Sequence, residues 1–302
     1  EGDKILTTNR NRYTVFSLWD TYRNYHQLMT LVYPERQMDM IHTMMGMYKE
    51  HGWFPKWELY GRETLTMEGD PSIPVLVDSW MKGLQDFDID EAYKGMYKSA
   101  TTPGKDNLMR PDNDDYMSKG YVPLREQYDN SVSHALEYYV ADYALSTLAE
   151  ALGKKEDAKL FRKRSMGYKN YYSKDFGTLR PITKLQSVFD EGNYDPANEP
   201  DIAYPYLFSR FKGEEWRTQK LVKELLAKYF TTKPDGIPGN DDTGTMSAWA
   251  IFSMMGFYPD CPGVPEYTLT TPTFDKVTVQ LDPKYWGKKE LVIKKEGQGD
   301  YI

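Results

Sequence analysis

A chain of 302 residues is long enough to bury a large core, and its formal charge of −7 excludes the basic face or stripe that a nucleic-acid binder shows. The single cysteine, Cys261, rules out an internal disulfide framework and a Cys-based zinc site, and the four histidines never approach HExxH spacing. No run of about 18 apolar residues is present, so no membrane span is expected.

Helical periodicity predicts helices near residues 15–32, 35–51, 71–84, 88–101, 130–152, 154–172, 202–211, 214–230 and 245–256. In the longest, Ala135, Leu136, Tyr139, Val140, Tyr143, Ala144, Leu148 and Leu152 form an apolar stripe that Gly153 ends. After Pro259 the pattern changes, because "EYTLTTPTFDKVTVQL" and "KKELVIKKEG" alternate apolar and polar residues as strands do. The fold class read from this is mainly α, an α/α toroid of helical hairpins with a short C-terminal β segment. The expected division is a helical domain over 1–258 and a strand segment over 259–302.

The loops carry the unusual residues. Three are acidic and amide-rich without Lys or Arg: Asp190, Glu191 and Asn193; Asn198, Glu199 and Asp201; Asn240, Asp241 and Asp242. Oxygen donors supplied from several directions suit a hard cation, although no EF-hand register fits and a solvated surface loop has the same composition. In "PDGIPGNDDTGTMSAW" two carboxylates stand beside a helix start, so Asp241, Asp242 and Thr243 read either as caps or as a base and a cation ligand. Glycoside hydrolysis needs two opposed carboxyls, and Glu191 and Asp242 are the candidate pair. Trp19, Asp20 and Arg23 in "SLWDTYRN", like Trp53, Trp57 and Glu63 in "GWFPKWELYGRET", read either as a buried Trp over an ion pair or as a sugar platform. Glu137, inside the long helix, is an alternative acid, with a helix-surface Glu as the plainer description.

Taken together, "FSLWDTYRNYHQLMTLVYPER", "GWFPKWELYGRETLTMEGDPSIPVLVDSWMKG", "SVSHALEYYVADY", "EGN", "NEPDIAYPYLF" and "GIPGNDDTGTMSAWAIFSMMGFYP" resemble glycoside hydrolase family 92 over nearly the whole chain. The resemblance implies an exo-acting α-mannosidase that inverts the anomeric centre with the help of calcium. It also implies an (α/α)6 toroid preceded by a β-sandwich. By that resemblance Glu191 is the general acid, Asp242 the base that activates water and Asp241 its neighbour in catalysis. Asn198, Glu199 and Asp241 are the residues near calcium, and Trp19, Asp20, Arg23, Trp53 and Glu63 line the sugar site.

The expected substrate is a terminal α-mannoside of mannan or an N-glycan, with α-1,2 linkage the first expectation and a non-catalytic glycan-binding toroid the alternative. A secreted, periplasmic or cell-surface location of bacterial type goes with that family, although no signal segment is present in these residues. Oligomeric state is not legible. The chain begins just ahead of "YTVFSLWDT", which leaves the sandwich outside it. "EGNYDPANEPD" reads as two family motifs pushed together, with a segment absent between Asn193 and Pro196.

Overall fold

A computed structural model describes residues 7–124, 130–171, 181–297, 299 and 301–302, and these are mainly helical. The chain enters through β1 (Phe16–Ser17) and one helical turn, α1 (Leu18–Thr21), before α2 (Tyr25–Val32) and α3 (Pro34–His51). The single helix expected over 15–32 is therefore broken. The break falls just before Asn24, which leads into α2: the residue is fully buried, its carbonyl accepts the Leu28 N–H at 2.9 Å, and its side-chain amide donates to the Tyr258 hydroxyl at 3.1 Å. Pro34 then opens α3 from its first position, where a missing N–H costs nothing.

Next come β2 (Trp57–Leu59) and β3 (Arg62–Glu63), antiparallel in the order β1-β2-β3 with Phe16 opposite Glu58 and Leu59 opposite Arg62. α4 (Ser72–Met81) is buried along most of its length, and α5 (Ile89–Thr101) is capped by Asp88, whose carboxylate accepts the Glu91 N–H at 3.0 Å. α6 (Asn113–Lys119) lies in a stretch read as loop, because only Asn113 and Tyr116 are buried and no apolar stripe announces it. α7 (Ser131–Ala151) packs along α8 (Lys155–Ser165), which continues as a 3-10 turn through Tyr171. The buried face of α7 includes Ala135, Tyr139, Ala144 and Leu148 of the expected stripe and is wider than it. Tyr138, Asp142 and Leu145 are buried, while Leu136 is exposed.

α9 (Pro181–Asp190), a second unexpected helix, leads to a 3-10 turn over Glu199–Asp201 and to α10 (Tyr204–Leu207). α11 (Glu215–Tyr229) and α12 (Thr245–Met255) follow, then β4 (Phe257–Tyr258), β5 (Thr268–Leu269), β6 (Lys276–Gln280), α13 (Pro283–Trp286) and β7 (Glu290–Lys294). β4 pairs with β5 and β6 with β7, both antiparallel, so the terminal strands read from alternation are present.

The chain divides into two compact units. The first gathers Glu1–Tyr22, Tyr33–Tyr172 and Pro262–Pro265; the second gathers Arg23–Val32, Ser173–Cys261 and Glu266–Ile302. Inside the first, Arg110 is fully buried and pairs with Asp70 and with Asp142, both at 2.8 Å. Arg164 completes the Asp142 side at 2.7 Å, while Tyr116 and Ser99 donate to the two carboxylates at 3.0 and 2.6 Å. Each of the four charges in that cluster, Arg110, Arg164, Asp70 and Asp142, has an opposite partner. Inside the second, Leu28, Ile202, Tyr206, Val222, Met246, Trp249, Phe252 and Tyr258 form the apolar core.

Candidate active site

The second unit's α12 fixes the loop that precedes it. Asp241 turns its carboxylate into the helix, where Oδ1 accepts the Ser247 N–H at 2.8 Å, and its carbonyl accepts the Met246 N–H at 3.1 Å. This is the capping chemistry that an Asp before an apolar helix signals. Asp242 and Thr243 follow with φ of 47° and 57°, and Gly244 with 97°, three consecutive residues in the left-handed region. That conformation is uncommon for a residue with a Cβ, and such backbone gathers where a loop must aim a side chain. Gly244 has a second constraint. A Cβ there would lie 2.8 Å from the Tyr25 ring.

The other wall is the turn over 195–201. Backbone N–H groups of Asn198 and Asp201 donate to the carbonyls of Asp195 and Asn198 at 3.1 and 2.9 Å. The Asp201 carboxylate reaches back to accept the Asp195 N–H at 3.1 Å. The turn is anchored to α12, since Trp249 Nε1 donates to the Ile202 carbonyl at 2.8 Å and the Tyr206 hydroxyl meets Ser253 Oγ at 2.6 Å. It also touches the preceding loop directly, because a Cβ on Gly239 would fall 2.6 Å from the Ala197 Cβ. The result is that Glu199, buried, and Asp242, half-buried, each bring a carboxylate oxygen to within 4.8 Å of the other.

Two oxygens that each lie about 2.4 Å from one ion can be at most about 4.8 Å apart, so this spacing admits a hard cation between them. The donor set fits such an ion in kind as well: two carboxylates, with the Asn198 amide next to Glu199 in the chain. Burial also shapes the surroundings. It raises the Asp201 carboxyl above the ordinary range for its type, and it raises the phenols of Tyr204 and Tyr194.

The remaining expected site residues have different surroundings. Glu191 is exposed just past the end of α9 and accepts from the Asn193 amide at 3.1 Å. Trp19 and Asp20 are buried in α1 of the first unit, and Arg23 is half-buried in the second. Trp53 and Glu63 line one cavity of about 90 Å³ in the first unit, together with Arg12, His51 and Glu58. Trp53 carries the Lys98 ammonium 4.0 Å above its ring. Both Glu63 oxygens are taken up by backbone, accepting the N–H groups of Lys56 at 2.7 Å, Trp57 at 3.0 Å and Leu65 at 2.7 Å. Glu137 is buried rather than on a helix surface, and accepts the Tyr22 hydroxyl at 2.8 Å. The anchors Ile202 and Trp249 were not singled out from sequence, and Asp201, named there among the acidic oxygen donors, was not read as the carboxylate that closes the turn. An Asp two residues after a candidate ligand was the available signal.

Known proteins place this geometry in a class. The model of the glycosyl hydrolase family 92 catalytic domain matches residues 2–187 and 182–302, and the chain belongs to that family. Among solved structures it is similar to the family GH92 α-mannosidase BT3965 from Bacteroides thetaiotaomicron, with a TM-score of 0.87 and 28% identity over 97% of this chain and 46% of that one. It is also similar to the inverting mannosidase BT2199 of that bacterium, with a TM-score of 0.85 and 27% identity over 96% of this chain and 49% of that one. An uncharacterised secreted glycosidase of Arthroderma benhamiae is 23% identical over 334 aligned residues, 82% of this chain and 42% of that protein. The chain thus spans less than half the length of these relatives. The family match falls in two stretches that overlap at 182–187.

Proposed function

We propose that the protein containing this chain is an exo-acting α-mannosidase that releases terminal mannose with inversion, assisted by calcium. The observation that carries the reading is the Glu199–Asp242 pair, built by the two loops whose sequences carry the family resemblance. Solved relatives named as α-mannosidases support it. The substrate class is mannan or N-glycan with terminal α-1,2 linkage, met outside the cell, as for the relative named as secreted.

On this reading Asp242, left-handed at φ 47°, accepts a proton from the attacking water, while its neighbour Asp241 caps the helix. Glu199 and Asn198 would hold calcium, which supplies positive charge for binding sugar hydroxyls. Glu191 is the candidate general acid that protonates the leaving oxygen. An inverting pair leaves room for the water, roughly 6.5–9.5 Å between carboxyls. Trp19, Asp20, Arg23, Trp53 and Glu63 are the proposed sugar contacts.

The test is to assay the full-length protein on α-1,2-, α-1,3- and α-1,6-mannobiose and to read the first product by NMR. β-Mannose is expected, and α-mannose would sink the inverting mechanism. Treatment with EDTA should abolish turnover and added calcium restore it. One observation favours the alternative of glycan binding without cleavage: Glu191 is exposed and lies past the division at 182–187. If Glu191→Gln keeps full turnover, the acid is another carboxyl, and if no mannobiose is cleaved the alternative holds.

A further inference from the structure

Between α9 and α11, inside the second unit, lies a groove of about 300 Å³, and none of its lining residues has a part in the reaction described above. A row of hydrogen-bonded side chains joins the two helices along it. Arg217 donates from Nε to Glu214 Oε2 at 2.5 Å and from Nη1 to Gln186 Oε1 at 2.9 Å, and Gln186 Nε2 donates in turn to Asp190 Oδ1 at 2.8 Å. A guanidinium has more N–H groups than those two bonds use, and a carboxylate has a second oxygen. Among the described residues Arg217 Nη2 and Asp190 Oδ2 are therefore uncommitted, a donor at one end of the row and an acceptor at the other.

The wall beside this row is aromatic. Phe189 and Tyr194 stand 4.8 Å apart between ring centres, and Trp216 keeps 41% of its surface exposed, with the Arg217 guanidinium 4.7 Å from its ring centre. Charge on the lining is mixed, Asp190 and Glu224 against Arg217, Lys220 and Lys228, so the groove does not select a ligand of either sign. A sugar matches both features. Its hydroxyls donate as well as accept, and its C–H faces pack on aromatic rings. We propose that this groove binds a neutral, mannose-containing glycan at sugars that are not cut, and so holds a polymer on the enzyme while its terminus is released. The choice of mannose rests on the mannosidase reading above.

The test uses the full-length protein with Trp216→Ala and Asp190→Ala, both at exposed side chains, and melting temperature as the control for folding. Two substrates separate the groove from the cleavage site: α-mannan, long enough to occupy both, and α-mannosyl fluoride, whose leaving group is no sugar. In Trp216→Ala the KM for mannan should rise at least about tenfold with kcat nearly unchanged, the pattern of lost uniform binding. Turnover of the fluoride should be unchanged. Asp190→Ala should raise the KM for mannan by a smaller factor, since it removes one accepting end. A wild-type KM for mannan in Trp216→Ala overturns the proposal and leaves the mannosidase reading standing. An equal loss on the fluoride overturns it too, by assigning Trp216 to the cleavage site or the fold. If the wild type cleaves neither mannan nor mannobiose, the mannosidase reading fails and the proposal with it. Should Trp216→Ala fail to accumulate folded, Asp190→Ala decides alone, and an unchanged KM overturns the proposal.

Discussion

The Asp241 carboxylate accepts the Ser247 N–H at 2.8 Å inside the first turn of α12, while the carboxylate next to it, Asp242, lies within 4.8 Å of Glu199. Adjacent acids therefore have separable roles. Asp241→Ala should lower stability by about 0.5–2 kcal/mol, the scale of a lost cap, measured by denaturant unfolding. Asp242→Asn should leave stability nearly unchanged, since Asn tolerates the left-handed region, and should lower turnover at least about a hundredfold. Equal turnover in the wild type and Asp242→Asn would remove Asp242 from the chemistry.

Gly244→Ala should destabilise by more than about 1 kcal/mol, because the residue sits at φ 97° and the new methyl would meet the Tyr25 ring. Tyr25→Ala in the same background should recover only the steric part. A melting temperature equal to that of the wild type would show that the loop relaxes freely.

Arg110→Met should cost about 3–5 kcal/mol, because it leaves Asp70 buried without its cation. The same loss is not expected for Arg12→Met, whose pairing with Glu50 at 2.7 Å is partly exposed and screened. Urea unfolding of the two variants side by side gives the comparison.

His42 has its pKa lowered by burial, with Arg10 acting in the same direction. Between the lowered folded value and the ordinary unfolded one, the unfolded chain binds the proton and the folded chain refuses it, so stability falls as pH drops through that window. His42→Gln should flatten the dependence in the window just below the ordinary histidine range, read from unfolding midpoints at each pH. A slope unchanged in the variant would assign the acid sensitivity to other groups.

Much of this arrangement is legible in sequence where local chemistry is unambiguous. Gly236, Pro238, Gly239 and the acids before Thr245 mark the α12 loop, and the alternation in "DKVTVQ" marks β6. What fails is face and partner. Asp142 stands on the inward face of α7, and an Asp flanked by Tyr138, Tyr139 and Leu145 was a sign of a buried ion pair whose cation, Arg110, is distant in sequence. The backbone partners of Glu63 were not legible, because nothing in sequence shows the bend that aims the N–H groups of Lys56, Trp57 and Leu65 at it. α9 has helical spacing in Ile182, Leu185, Val188 and Phe189, yet a segment of ten residues is too short to separate helix from strand by pattern alone.

The order in which the second unit acquires its parts has a kinetic consequence. Leu28 belongs to the same apolar cluster as Trp249 and Phe252, so residues made early by the ribosome must wait for residues made more than two hundred positions later. Closing so long a loop is entropically slow and leaves apolar surface uncovered meanwhile. During synthesis α2 is the element that a chaperone would find exposed, and the unit as a whole should appear only after α12 has left the tunnel.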